Sequence, residues 1–442
     1  MYLPDYIKII LDKLSAKGYE AYVVGGCVRD YLLGQCPKDY DVTTSALPEQ
    51  IIECFSDYKL LTNGLKHGTV TVIINNLPVE ITTYRIDGDY KDHRHPEKVE
   101  FTSSLKEDLS RRDFTINAMV YSEKTGVVDY FGGKEDLEKK IIRAVGDPYQ
   151  RFDEDALRIL RALRFASRFG FKIDRPTADA AHRLRYLLEG ISVERIQTEL
   201  CGILMGDCHD VLYNFPDIIC EIIPELRASI GFIQYSKYHN RTVYRHTIAA
   251  TAGSDADIIY RLTMLLHDVG KPESFYMDDD GVGHFKGHAL VSRRIAEKIL
   301  KRLKFSNKIT DEVLFLIENH SIKMNDTEKY IKKAVVRYGA EGFLKLINVH
   351  IFDNLGKAEW YLWENDFFRS IAQHTREYLE KQPALSLKDL KVNGNDVSAL
   401  GFVGEEIGKA LHFLMDAVID EHCQNEKEKL LVFLKKNRKN IK

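Results

Sequence analysis

Paired cysteines are missing from this chain. Its seven cysteines are scattered without a Cys-x-x-Cys spacing, which argues against a disulfide framework or a cysteine-ligated zinc and predicts a cytoplasmic protein. Long apolar runs are missing too, since none approaches the ~20 residues of a membrane-spanning helix. The first residues set Ile9, Ile10 and Leu14 among Lys8, Lys13 and Lys17, an amphipathic stretch without the pattern of a cleaved signal. Strong net charge is also lacking. At −3 for 442 residues, the chain is not expected to coat nucleic acid nonspecifically. An RNA partner needs only a local basic surface, and the arginines between Arg158 and Arg168 are one candidate. The tail Lys435-Lys436-Asn437-Arg438-Lys439 reads as a solvated terminus. Asp278-Asp279-Asp280-Gly281 lacks the spacing of a calcium-binding EF-hand loop and reads as a surface hairpin or loop.

What is present is a globular composition, 44% apolar and 29% charged, long enough for about three domains. Strand-like pieces fall at 20–25, 38–43, 69–75, 79–84 and 117–121 among helical segments. Strand signals then fade, and helical periodicity runs from 153 to the end, broken at Pro176, Pro216, Pro224, Pro272 and Pro383. The expected class is α+β, an α/β head followed by an all-helical body. The expected divisions are 1–143, 144–230, 231–365 and 366–442.

The most informative stretch is Val23-Val24-Gly25-Gly26-Cys27-Val28-Arg29-Asp30, followed by Lys38-Asp39-Tyr40-Asp41-Val42-Thr43-Thr44. It predicts a strand, a Gly-Gly turn, a helix and a second strand carrying Asp39 and Asp41 on one face. Two adjacent carboxylates repel unless a cation sits between them, so a divalent metal is expected there. The glycines let backbone N–H groups approach a phosphate. Metal and phosphate together predict phosphoryl or nucleotidyl transfer. Glu80, in the strand Val79-Glu80-Ile81-Thr82-Thr83, is a candidate third carboxylate.

A second motif is Arg111-Arg112-Asp113-Phe114-Thr115-Ile116-Asn117-Ala118. Arg112 is suited to phosphate and Asp113 to a ribose hydroxyl. Between the motifs, Arg85 to Lys98 is rich in Asp, His, Lys and Arg and predicts a flexible loop. Farther on, Asp153-Glu154-Asp155-Ala156-Leu157-Arg158 through Phe165 predicts one helix with Asp155 and Arg158 on a shared face. A carboxylate beside a guanidinium complements the amino group and ring nitrogen of cytosine or adenine. Guanine and uracil set a carbonyl against Asp155, a mismatch of ~1–3 kcal/mol.

Together these motifs resemble the polymerase β superfamily and, more narrowly, the class II tRNA nucleotidyltransferases (the CCA-adding enzymes) and the bacterial poly(A) polymerases. The resemblance implies a polymerase β-like nucleotidyltransferase head in which Asp39 and Asp41 are catalytic and hold Mg²⁺. It implies nucleotide contacts from Gly25, Gly26, Arg29, Arg112, Asp113 and Asn117. Glu154, Asp155 and Arg158 match a Glu-Asp-x-x-Arg nucleotide-recognition motif, with Arg161 and Arg164 extending a basic row toward phosphate. Implied partners are CTP, ATP and the tRNA 3′ end, with no membrane. The loop after Arg85 is associated in the family with adding the terminal adenosine, which favours complete CCA addition. An A-only or poly(A)-adding enzyme, and a noncatalytic RNA-binding protein, are the alternatives.

Leu265-Leu266-His267-Asp268-Val269-Gly270-Lys271-Pro272, with His246 upstream and Asp353 downstream, resembles the HD phosphohydrolase superfamily. The resemblance implies metal ligation by His246, His267, Asp268 and Asp353, with His288 and His320 where two-metal members carry further ligands. Imidazole and carboxylate suit a divalent metal, and hydrolysis of terminal or 2′,3′-cyclic phosphates on RNA ends is implied. Segments around Asn393-Gly394-Asn395-Asp396 and Gly404-Glu405-Glu406-Ile407-Gly408 resemble the C-terminal body of HD-bearing tRNA nucleotidyltransferases, except that Val403 stands where the family has proline.

Overall fold

Apolar residues alternating with threonines shape the N-terminal half. In Thr69–Ile74, Val70, Val72 and Ile74 are buried while the intervening residues are half-buried, the period of a strand with one face on the core. The computed structural model describes residues 1–87, 99–236, 240–381, 387–420 and 422–438. It falls into two compact units, 1–227 with 302–304, and 228–301 with 305–442.

The first unit is built on a seven-stranded mixed sheet of order β3-β4-β5-β2-β1-β8-β9. Its strands are β1 (Ala21–Val24), β2 (Asp41–Thr44), β3 (Lys59–Leu61), β4 (Thr69–Ile74), β5 (Leu77–Thr83), β8 (Met119–Ser122) and β9 (Gly126–Asp129). Arg85–Asp87 (β6) and Val99–Phe101 (β7) form a separate antiparallel ladder. Most of the loop expected from Arg85 to Lys98 lies outside the described residues. Strands β3 and β9 were not expected. Each is short and incompletely buried, so neither carries a strong apolar period.

Asp39 precedes β2, which begins only at Asp41. The expected pair on one strand face is therefore a residue before the strand and its first residue. The helix expected from Asp153 is two helices, Pro148–Glu154 and Leu157–Phe169. Asp155 lies between them in extended conformation (φ −141°, ψ 99°), so it and Arg158 do not share a face of one continuous helix, although Arg158 N donates to the Asp155 carbonyl (2.9 Å). Asp147 caps the first helix by accepting a hydrogen bond from Tyr149 N, and Pro148 opens it. The second buries Leu157, Leu160 and Leu163 and ends at Gly170 (φ 65°). A two-residue parallel pairing, Ile141–Ile142 with Lys172–Ile173, interrupts the helical run.

Among the described residues, the second unit is helical apart from a hairpin pairing Tyr276–Met277 with Gly283–His284. The acidic turn forms its tip, and Asp278 accepts hydrogen bonds from Asp280 N and Val282 N. Helices Val243–Gly253, Ile258–Leu266, Asn307–Asn319 and Ala340–Gly356 pack around Ala250, Met264, Leu316 and Leu346. Farther along, Asn393 and Asp396 make a reciprocal capping box, and Glu405–Ile419 and Lys427–Lys436 bury Leu414, Leu430 and Leu434. Among the described residues, no helix is long and apolar enough to cross a membrane.

Candidate functional site

The pairing of β1 with β2 sets Asp41 opposite Val24, beside the turn at Gly25. On the other side of β2, the parallel register Val42↔Ile81 places Asp41 and Glu80 at the same level. In-register neighbours on adjacent strands share a face, so these carboxylates project together, both exposed, Asp41 at the start of β2 and Glu80 in the middle of β5. Loss of hydration on its protein side and the charge of Glu80 push the Asp41 carboxyl up; Arg112 opposes this and Asp39 adds to it. Three mutually repelling carboxylates make a donor set of oxygens that fits a hard divalent cation.

Arg112 reaches the same place. A Cβ on Gly25 would stand 3.2 Å from its Nη1, and Gly25 has φ 77°, so the turn needs glycine for both conformation and space. Thr43, on the same face as Asp41, donates its hydroxyl to Asp108 Oδ2 (3.0 Å), and Asp108 pairs with Arg111 (2.8 Å) and Arg112 (3.6 Å). Asp108 is fully buried and ties the first motif to the second. Sequence reasoning missed it. Its signal was the spacing to Arg111 and Arg112, three and four residues on along one helical face.

Several expected nucleotide contacts are engaged internally instead. Arg29 is buried, pairs with Asp30 (2.6 Å), donates to Asn117 Oδ1 (2.5 Å) and lies against the rings of Phe165 and Phe169. Asp113 accepts from Asn117 Nδ2 (3.1 Å), Phe114 N (2.8 Å) and Arg161 Nε (2.8 Å). Arg164 pairs with Glu199 (2.6 Å). Arg161 and Arg164 thus form no free basic row; each meets a carboxylate. Burial pushes the Asp113 carboxyl up, but Arg161 and the Asn117 hydrogen bond outweigh it and hold it below the usual range. Arg158 pairs with Glu154 (2.8 Å) and donates to the carbonyls of Arg151 and Arg111, while Asp155 pairs with Arg195 (3.0 Å). Arg195, which sequence reasoning missed, comes from a helix 40 residues away with no local signal.

A second cluster lies in the helical unit. Candidate ligand atoms of His246, His267, Asp268 and Asp353 lie within 4.8 Å of one another, as do those of Asp268, His288 and His320. Asp268 belongs to both sets. His246 Nε2 and His267 Nε2 stand 2.9 and 3.1 Å from Asp353 Oδ1, and His288 Nε2 is 3.4 Å from Asp268 Oδ1. Three of the rings are set by their own chain. Nδ1 of His267, His288 and His320 each lies 2.6–2.8 Å from the carbonyl three residues earlier. That contact places the proton on Nδ1 and turns the Nε2 lone pair inward, as a metal ligand requires.

Two lysines neutralise the carboxylates: Lys271 Nζ lies 2.7 Å from Asp268 Oδ2 and Lys357 Nζ 2.9 Å from Asp353 Oδ2. Burial opposes charge on His267, but Asp268 and Asp353 outweigh it and push the imidazole up to about 9. Burial and the facing imidazoles of His267 and His288 push His320 down to about 3. The carboxylates of Asp268 and Asp353 thus favour positive charge beside them, a demand that a bound cation would meet.

The Poly A polymerase head domain model matches residues 21–143. A model of the RNA and SrmB-binding site of polymerase A matches 170–211, and one of tRNA nucleotidyltransferase domain 2 matches 288–434. The CCA-adding enzyme of Ligilactobacillus salivarius is 32% identical over 449 residues, covering 98% of this chain and 97% of the relative. That of Geobacillus kaustophilus is 48% identical over 226 residues, 51% of this chain and 53% of the relative. The crystal structure of Bacillus stearothermophilus CCA-adding enzyme in complex with CTP matches with TM-score 0.68 and 28% identity, over 100% of this chain and 99% of that one. Thermotoga maritima CCA-adding enzyme complexed with tRNA matches in fold, with TM-score 0.59 and 21% identity over 98% of this chain and 96% of that one.

Proposed function

The chain belongs to the family of CCA-adding enzymes, and on that premise we propose that it adds C, C and A from CTP and ATP to tRNA 3′ ends without a nucleic-acid template. In each step the terminal 3′-oxygen attacks the α-phosphorus. An O–P bond forms, the bond to the pyrophosphate oxygen breaks, and the hydroxyl proton passes to solvent. Asp39, Asp41 and Glu80 are the residues suited to hold Mg²⁺. When bound, the metal acidifies the attacking hydroxyl and neutralises charge on the leaving pyrophosphate. Arg112 and the Gly25–Gly26 turn receive the triphosphate. Asp113, Asn117, Arg29 and Arg161 form the hydrogen-bonded lattice that orients this wall.

Base choice falls to Asp155 and Arg158. The base edge takes the places now held by Arg195 and Glu154, so a matching amino group and ring nitrogen replace existing pairs, whereas a carbonyl opposite Asp155 repels it and returns no hydrogen bond for the one lost from Arg195. The observation that carries the transferase reading is the convergence of Asp41, Glu80 and Arg112 on the Gly25 turn. Purified protein given tRNA ending at the discriminator base, with CTP and ATP singly and together, should stop at CCA. Addition of A only to tRNA-CC, open-ended A tails, or no addition would each reject the reading.

The histidine cluster supports a second activity, that of an HD phosphohydrolase. His246, His267, Asp268 and Asp353 are suited to one divalent metal, and His288 and His320 with Asp268 to another. A metal there supplies an acidified water for phosphate hydrolysis, and terminal or 2′,3′-cyclic phosphates of RNA are the proposed substrates. Lys357 and Lys271, already placed beside the carboxylates, would steady the phosphate charge. Metal-dependent phosphatase activity surviving His267→Ala would exclude this assignment.

A further inference from the structure

The second unit opens a cavity of about 460 Å³ beside the histidine centre, within the ~300–1,000 Å³ that ligand pockets occupy. Its wall combines cations with apolar and aromatic groups: Lys323 and Lys357 with Met324, His350, Phe367 and Phe368. The aromatic character continues outward. The chain has two tryptophans, Trp360 and Trp363, and both lie in this one segment, 65% and 67% exposed. Large aromatic side chains so open to water are unusual and mark interaction surfaces.

Contacts run unbroken from that surface to the centre. The Trp363 ring lies 6.0 Å from that of Tyr361, and Lys357 Nζ stands 5.8 Å over the Tyr361 ring. Lys357 in turn touches Asp353 Oδ2 at 2.9 Å and donates to Asn354 Oδ1 at 2.8 Å. A parallel row runs from Phe367 to Phe368 (5.6 Å) and on to His350 (4.9 Å). Exposed aromatic faces leading to cations and a candidate metal centre suit a chain of bases that ends in a phosphate. A purely apolar partner would offer no anion to the Lys323 and Lys357 that line the cavity.

We propose that this face binds a single-stranded RNA terminus, with unpaired bases stacked on Trp360 and Trp363 and the terminal phosphate reaching Lys357 and Lys323. The proposal deepens the phosphohydrolase reading, on which it rests only for the fate of the phosphate. Nearby carboxylates are partly occupied, since Glu364 accepts from Asn354 and Asp366 pairs with Arg369. Stacking rather than charge therefore supplies the grip, as on single-strand platforms where every base offers a π-face.

The two tryptophans make the test specific, because indole emission of the full chain reports on this segment and nowhere else. Titration with a 3′-phosphorylated oligoadenylate, in metal-free buffer, should quench that emission saturably, and a bare inorganic phosphate should not. W360A/W363A should bind the fluorescently labelled oligonucleotide at least about fivefold more weakly for each lost stack, with an unchanged circular dichroism spectrum. Absent quenching, equal quenching by inorganic phosphate, or undiminished binding by the variant would each overturn the proposal. If quenching occurs but no metal restores hydrolysis of the oligonucleotide phosphate, the phosphohydrolase reading fails while the strand-binding face stands.

Discussion

The two candidate metal sites differ in how much of the site the protein itself completes. In the head, Asp39, Asp41 and Glu80 stand exposed, before, at the start of and within their strands, and Arg112 waits across the Gly25 turn. In the helical unit, buried imidazoles and carboxylates converge with three Nδ1 atoms fixed by backbone carbonyls. The first arrangement suits an ion that arrives with a triphosphate and keeps much of its water, as Mg²⁺ does. The second suits an ion that stays. Exposed acidic sites and buried histidine sites are thus two answers to one demand, set by whether the metal must leave with the product.

The comparison breaks most sharply if the head needs no carboxylates. D39N/D41N should slow CMP and AMP incorporation at least ~10³-fold in single-turnover assays, the worth of several kcal/mol of charge stabilisation; a slowing under tenfold would contradict the metal assignment. Metal retention is the next test. Elemental analysis after gel filtration should find metal held by the histidine cluster and lost in H267A, by more than the ~10–100-fold attached to an outer-shell partner. Metal kept by H267A but lost by D39N/D41N would reverse the comparison.

Selection of the base is a smaller effect. D155A should blur discrimination against UTP and GTP by roughly 5–150-fold, corresponding to ~1–3 kcal/mol. Unchanged selectivity in single-nucleotide incorporation would remove Asp155 from that role. The smallest expected change is in stability. D113N strands Arg161, itself a third exposed, and should cost the head ~1–3 kcal/mol, read by native-state hydrogen exchange. Because the folded Asp113 carboxyl lies below its ordinary value of ~3.9, its contribution is fully present above that pH. It is lost as pH falls through the lower folded value, so wild type and D113N should converge in acid.

Much of the head was legible because strand period and glycine turns act locally. Strands near 21–24, 69–74 and 77–83 came from alternating apolar residues, and Gly25 was placed correctly at a turn. The histidine set was legible only through its order along the chain. Its residues lie up to 107 positions apart, beyond any helical or strand period. The partners of the arginines were not legible. Arg161 meets Asp113 across 48 residues and Arg164 meets Glu199 across 35, so a basic row on paper became a set of neutral pairs in the fold.

By itself the sequence determined the chemical types at both sites, the α/β head and the helical body, because these follow from side-chain period and local backbone preference. Tertiary structure decided which charges remain available. It broke the helix at Asp155 and set Asp41 level with Glu80. It also drew Arg112 to Gly25 and brought His246 and Asp353 together from positions 107 residues apart. The physical reason is that a charge acts through distance and hydration, and both are fixed only when remote segments pack together.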